Sequence, residues 1–204
     1  MFSLFVSGGW LMLPIFGCSI VALAIIIERF IALQSKKIVP EHVLPMVLHN
    51  LKNQNVNYQA LSKSLNHSIL GAVLAKGLLY SEEGPEVMKQ KMEEVGRHLI
   101  FELESFLNFL GSIATIAPLL GLFGTVMGMI KMFCALTLES GAVNVQGLAG
   151  GISQALLTTA FGLGVAIPSV LFHRFFHNRI DGLAIHIEKE ALKLIEVLHH
   201  KKME

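Results

Sequence analysis

Thr125, Gln154, Thr158 and Thr159 are polar side chains set into two of the most apolar stretches of the chain. Thr125 is the single hydroxyl of APLLGLFGTVMGM, residues 117–129, which carries three glycines and no charge. A hydroxyl donates one hydrogen bond and accepts others, and an amide also does both. Such groups can therefore hold either protonation state of an acid without titrating themselves. The competing use is local: a helical threonine bonds back to a carbonyl of its own preceding turn, or to a neighbouring helix. Thr125, Thr159 and Gln154 together, on two glycine-striped segments, read as a shared polar lining.

What these stretches lack narrows the chemistry further. Between Phe106 and Phe172 the only ionisable side chains apart from cysteine are Lys131 and Glu139, both near one end. Proton relays inside a membrane generally use Asp, Glu or His. If protons pass here, the titrating carboxylate comes from another subunit. The nine histidines are scattered, or sit in a charged tail as His199 and His200. Metal-ligand spacing on a buried face, a phosphate loop, a nucleophile elbow and paired carboxylates are all missing. The sequence therefore predicts no enzyme, no cofactor and no metal.

The elements that position these residues are helices. Ala117, Gly121, Gly124 and Gly128 recur at intervals of four, three and four, and Gly151, Ala155, Gly162 and Ala166 form a second small stripe. Small residues let helix backbones approach closely in lipid. Pro118 and Pro168 are expected to kink their helices, with neighbours satisfying the freed backbone groups. Three stretches exceed the roughly 20 apolar residues that cross a hydrocarbon core: about 10–33, 106–138 and 148–176. Each must be helical, because lipid satisfies no backbone hydrogen bonds.

Composition agrees. The chain is 204 residues long, 53% hydrophobic and 15% charged, with a mean hydropathy of +0.61, which indicates an integral membrane protein. A net charge of +1 gives no sign of nucleic-acid binding. Lys and Arg concentrate in residues 34–105 and in the tail from 177, with Arg174 just before it; the first nine residues have none. That asymmetry places 34–105 and 177–204 in the cytoplasm, and the N-terminus and the 139–147 connection outside. Trp10 suits the outer interface. The N-terminus lacks the basic start and cleavage site of a signal peptide. Cys18 and Cys134 read as small buried apolar residues.

Short amphipathic helices are expected at 41–53, about 58–66 and about 68–81. Gly84 closes one helix and Pro85 suits the first turn of the next. From Pro85 one helix of about 50 residues, roughly 75 Å long, is predicted to run through the second span, with Gly96 a weak point. The third span is expected to extend into an amphipathic helix at about 180–200. No linker separates a second part, so residues 1–204 read as a single all-α domain.

APLLGLFGTVMGMI and GISQALLTTAFGLGVAIPSVLFHRFF closely resemble the signature helices of the ExbB/TolQ/MotA proton-channel family, and GGWLMLPIFGCSIVALAIIIERF is similar to the first span of its ExbB branch. The resemblance covers essentially the whole chain; the 41–84 region is generic. Three spans with the cytoplasmic bulk between the first two match the ExbB and TolQ branches. The resemblance implies a homopentamer in the bacterial inner membrane around a one-span partner, ExbD or TolR, that supplies the proton-carrying aspartate. Force would pass to TonB or TolA. The family's pore-lining threonines match Thr125 and Thr159, while its third-span glutamate falls on Gln154. Gly121, Gly124, Gly128, Gly151 and Gly162 are expected to pack the helices. The expected function is an ExbB-type motor subunit for TonB-dependent transport. The alternatives are a TolQ-type envelope-maintenance subunit and a self-sufficient channel or scaffold.

Overall fold

The computed structural model describes residues 8–52, 65, 68–137 and 145–203. They form helices α1 (Met12–Ala32), α2 (Ser35–Ile38), α3 (Val43–Lys52), α4 (Ile69–Leu79), α5 (Pro85–Thr137) and α6 (Val145–Met203). No strand occurs among the described residues, so the chain is all-α. The helix expected at about 58–66, residue 65 apart, and the 138–144 part of the connection lie outside the described residues.

α1, α5 and α6 are long and apolar enough to cross a membrane, as the three apolar stretches require. Their boundaries follow from local chemistry. Gly84, at φ +107°, takes a left-handed conformation that glycine adopts without steric cost. Pro85 then opens α5, where its missing N–H breaks no helical bond. Ser68 caps α4, its hydroxyl accepting from Gly71 N at 3.1 Å, which satisfies one of the amide donors a helix start leaves open. Pro118 and Pro168 lie inside α5 and α6, and both helices continue through them. α5 is 53 residues long and passes Gly96 unbroken.

The packing divides into two compact units, Met1–Glu28 with Leu107–Phe175, and Arg29–Phe106 with Phe176–Glu204. In the first, Ala22, Leu110, Ala117, Ala155 and Ala166 are buried, while Leu119, Leu122, Phe123, Leu156, Ile167 and Leu171 are exposed. Small residues are buried beside a few large ones such as Leu110, while many large apolar side chains face out, the reverse of a soluble surface. Cys18 is half-buried and Cys134 exposed, not the two buried residues expected, and they are not joined in a disulfide.

The second unit has an apolar core of its own. Leu70, Leu74 and Leu78 of α4 are buried, as are Met88 and Met92 of α5 and Ile180, Ile187 and Leu194 of α6. Gly77 admits the Met88 and Met92 side chains, the Met88 terminal methyl lying 3.0 Å from where a Cβ would stand. The end of α1 is tied in by two arginines. Arg29 is buried, donates Nη1 to Leu103 O at 2.8 Å and stacks 4.7 Å over the Phe106 ring. Arg179 donates Nε to Leu33 O at 3.1 Å and Nη2 to Ser35 Oγ at 3.1 Å, satisfying a carbonyl that the helix end leaves open.

Candidate functional site

The site is built on a close antiparallel contact between α5 and α6 inside one chain. A Cβ on Gly121 would stand 3.0 Å from Thr159 Cα, and one on Gly128 would stand 2.7 Å from Gly151 O. On the facing helix, a Cβ on Gly151 would stand 2.8 Å from Gly128 O, and one on Gly162 would stand 2.6 Å from Ala117 O. Gly124 lies against the Thr158 side chain, leaving no room for a Cβ. Backbone thus meets backbone at four of the five glycines, and a hydroxyl-bearing side chain fills the space at the fifth. All five lie on the contact of two helices of the same chain.

That contact decides what each polar side chain does. Thr158 is fully buried, and its hydroxyl donates to the Gln154 and Ala155 carbonyls of its own helix, each at 3.0 Å. It is a packing residue. Thr159, half-buried, donates instead across the contact to Gly121 O at 3.0 Å. Thr125 is also half-buried and donates to Leu122 O at 2.6 Å. Both hydroxyl protons are engaged with carbonyls, while each oxygen keeps acceptor capacity for a further partner.

Gln154 is placed differently. It is 5% exposed, enclosed by its own chain, and its Oε1 accepts from Lys131 Nζ at 2.7 Å. Gly9, in the turn that leads into α1, lies against the same amide: a Cβ there would stand 2.6 Å from Gln154 Nε2. At φ +74° that position favours glycine for its backbone as well. Gln154 is therefore a buried amide joining α5, α6 and the start of α1, whereas the two threonines keep partly open faces.

Sequence reasoning singled out Lys131 only as a charge near one end of its span; the fold makes it the partner of Gln154. It also missed a group in the second unit. One ligand atom each of Glu104, His177 and Asp181 lies within 4.8 Å of the others, with His177 Nδ1 3.9 Å from Glu104 Oε1. The spacing of His177 and Asp181, four residues apart on one helix, was visible in the sequence. Glu104 was not, because it comes from another helix. These groups are partly or fully exposed, and the His177–Glu104 pair is an ion pair when the imidazole is protonated.

Comparison with known proteins bears on this geometry. Residues 48–189 match the model of the MotA/TolQ/ExbB proton channel family. Over 173 residues the chain is 30% identical to a Synechocystis protein named biopolymer transport protein ExbB-like 3, covering 84% of this chain and 82% of that one. It is 37% identical over 107 residues to the Tol-Pal system protein TolQ of Haemophilus influenzae, 50% of this chain and 46% of TolQ. Identity to the biopolymer transport protein ExbB of Salmonella typhimurium is 40% over 73 residues, 36% of this chain and 30% of ExbB.

Proposed function

Because the chain belongs to the MotA/TolQ/ExbB proton channel family, we propose that it is an ExbB-type motor subunit of the bacterial inner membrane. With a one-span partner of the ExbD or TolR kind it would couple proton flow to TonB-dependent transport across the outer membrane. It would act as a homo-oligomer, a pentamer by family resemblance, with its N-terminus in the periplasm and its C-terminus in the cytoplasm. Lys and Arg asymmetry supports that orientation.

The observation that carries the reading is the pair of half-buried hydroxyls, Thr125 and Thr159, beside a glycine contact in a stretch with no carboxylate but Glu139. A lining of this kind cannot itself release or take up a proton. It can accept a hydrogen bond from a protonated acid and, after rotation of the hydroxyl, donate one to the ionised form. The partner's aspartate would carry the proton, and Thr125 and Thr159 would hold it in both states. Gln154, where the family has a glutamate, would serve as a structural amide for Lys131 rather than as a relay.

The test is the double substitution Thr125→Val with Thr159→Val, which preserves shape and removes both hydroxyls. Leaving a buried carboxylate short of one hydrogen bond costs about 1–3 kcal/mol, a slowing of roughly five- to 150-fold in one protonation state's passage. The variant should co-purify with its partner at the wild-type yield yet fail to support uptake of a TonB-dependent substrate. Normal uptake by the assembled variant would overturn the assignment. The similarity to TolQ favours one second reading, a Tol-Pal envelope-maintenance subunit. Complementation separates the two: rescue of a strain lacking ExbB supports the first, and rescue only of a strain lacking TolQ supports the second.

A further inference from the structure

Toward the N-terminal end of α5's apolar stretch, Asn108, Gly111, Ser112, Thr115 and Ile116 line a shallow, open hollow on the surface of the chain with His173 of α6. Its volume is about 500 Å³. The imidazole comes close to α5 because position 111 is glycine: a Cβ there would stand 3.0 Å from His173 Nε2. Ser112 Oγ donates to Asn108 O at 2.8 Å, and Thr115 Oγ1 donates to Gly111 O at 3.1 Å. Their oxygen lone pairs, the Asn108 amide and the imidazole thus give the cavity a hydrogen-bonding wall. Phe109, Leu119 and Leu171 nearby are exposed and apolar. An amide and an imidazole in such surroundings are expensive unless they face water or protein, and an ionisable group there marks a site by default.

Helical register ties this cavity to the two threonines. His173 follows Thr159 by fourteen residues on α6, and Thr125 follows Gly111 by fourteen on α5. Fourteen residues fall about 40° short of four full turns and span roughly 21 Å. The helices are antiparallel, so equal register shifts on each keep Thr125, Gly111, Thr159 and His173 on one side of the glycine contact. His173 lies just beyond Phe172, and so outside the stretch in which the sequence offered only Lys131 and Glu139.

We propose that His173 is a proton-relay residue at the cytoplasmic end of the passage. The inference rests on the reading that protons pass beside Thr125 and Thr159. Water held by Asn108, Ser112 and Thr115 brings the proton to the ring. An O–H bond of the protonated water breaks and an N–H bond forms on the neutral imidazole. The imidazolium then loses a ring N–H proton to water on the cytoplasmic side, leaving the ring neutral again. No carboxylate lines the cavity to trap the proton there; Arg174, next along α6, and Glu104, four residues before Asn108 on α5, are the adjoining charges in sequence.

The full chain, co-expressed with the one-span partner, is reconstituted in vesicles containing a pH-sensitive dye. His173→Ala and His173→Gln are expected to co-purify normally and to conduct at least about tenfold more slowly, as for loss of a positioned proton-transfer group. Free imidazole should restore flux to His173→Ala, which leaves space for it, and not to His173→Gln. A merely structural histidine would show no such rescue. Wild-type flux in His173→Ala, or slow flux that imidazole does not raise, overturns the proposal. The Thr125→Val, Thr159→Val variant is run beside it. If that variant conducts normally the proton-path reading has failed, and if it is inactive while His173→Ala is normal only the histidine assignment has failed. Should His173→Ala not assemble, diethyl pyrocarbonate applied to wild-type membrane vesicles decides. Modification of His173 supports a water-filled cavity, and protection of His173 while His186 reacts overturns it.

Discussion

Gln154 shows how far a single residue can be read from sequence. Its position among apolar neighbours marked it as a polar group that must find a partner. The partner, Lys131, lies 23 residues away on another helix, and only the register of α5 against α6 brings the two within 2.7 Å. Gly9 was equally opaque: nothing local says that its missing Cβ makes room for this amide. The contact yields a prediction that a lipid-facing or idle Gln154 would not. Gln154→Glu replaces the amide with a carboxylate facing the same ammonium, so assembly and most activity should be retained. Gln154→Leu removes the acceptor and leaves a buried apolar group against a cation. Lys131 can partly escape toward the interface on its flexible stem, so the loss should be about 1–3 kcal/mol rather than collapse. Melting temperature of the purified complex and TonB-dependent uptake are the two measurements. Equal values for wild type, Glu and Leu would remove any role for the contact.

At the scale of elements, most of what mattered was local and therefore legible. Gly84 followed by Pro85 fixed the start of α5, and the helix of about 50 residues expected from there is 53 residues long. Pro118 and Pro168 were expected to kink their helices without ending them, and α5 and α6 do continue past them. One missing N–H in a long helix costs less than ending it would, when the flanking turns stay packed. The small-residue stripes were legible as contact surfaces, but their partner was not, since a stripe says that a helix approaches without saying whose. The fold answers within one chain for α5 and α6. Gly124→Leu should therefore damage the subunit itself, because even a Cβ there collides with Thr158. Overpacking of this kind costs roughly 1–3 kcal/mol or more, so the variant should melt well below wild type or fail to accumulate. Gly164→Ala is the control, since a Cβ there meets nothing within 4 Å, and it should melt like wild type. A Gly124→Leu protein that assembles and melts normally would mean that the α5–α6 contact is not what holds the pair.

For the molecule as a whole, three continuous apolar stretches were enough to predict an all-α membrane protein with three spans, because a run of about 20 apolar residues crosses a bilayer as a helix. Stoichiometry was not legible, for a physical reason. Leu119, Leu122, Leu156, Ile167 and Leu171 are exposed on the chain, and an apolar side chain suits a lipid tail as well as it suits a second copy. Orientation rests on charge alone, which makes it the whole-molecule property most open to direct test. In a background with Cys18 and Cys134 replaced, a cysteine is placed at Gln146, near the start of α6, or at Lys89, in the first turns of α5. Both side chains are exposed on the chain, so access to reagent depends on the membrane rather than on burial. The basic content of 34–105 and the absence of Lys and Arg from the first nine residues predict Gln146 outside and Lys89 inside. A membrane-impermeant maleimide added to intact spheroplasts should label the Gln146 cysteine, and should label the Lys89 cysteine only after lysis. The opposite pattern would invert the chain in the membrane and put the His173 cavity on the side from which protons enter.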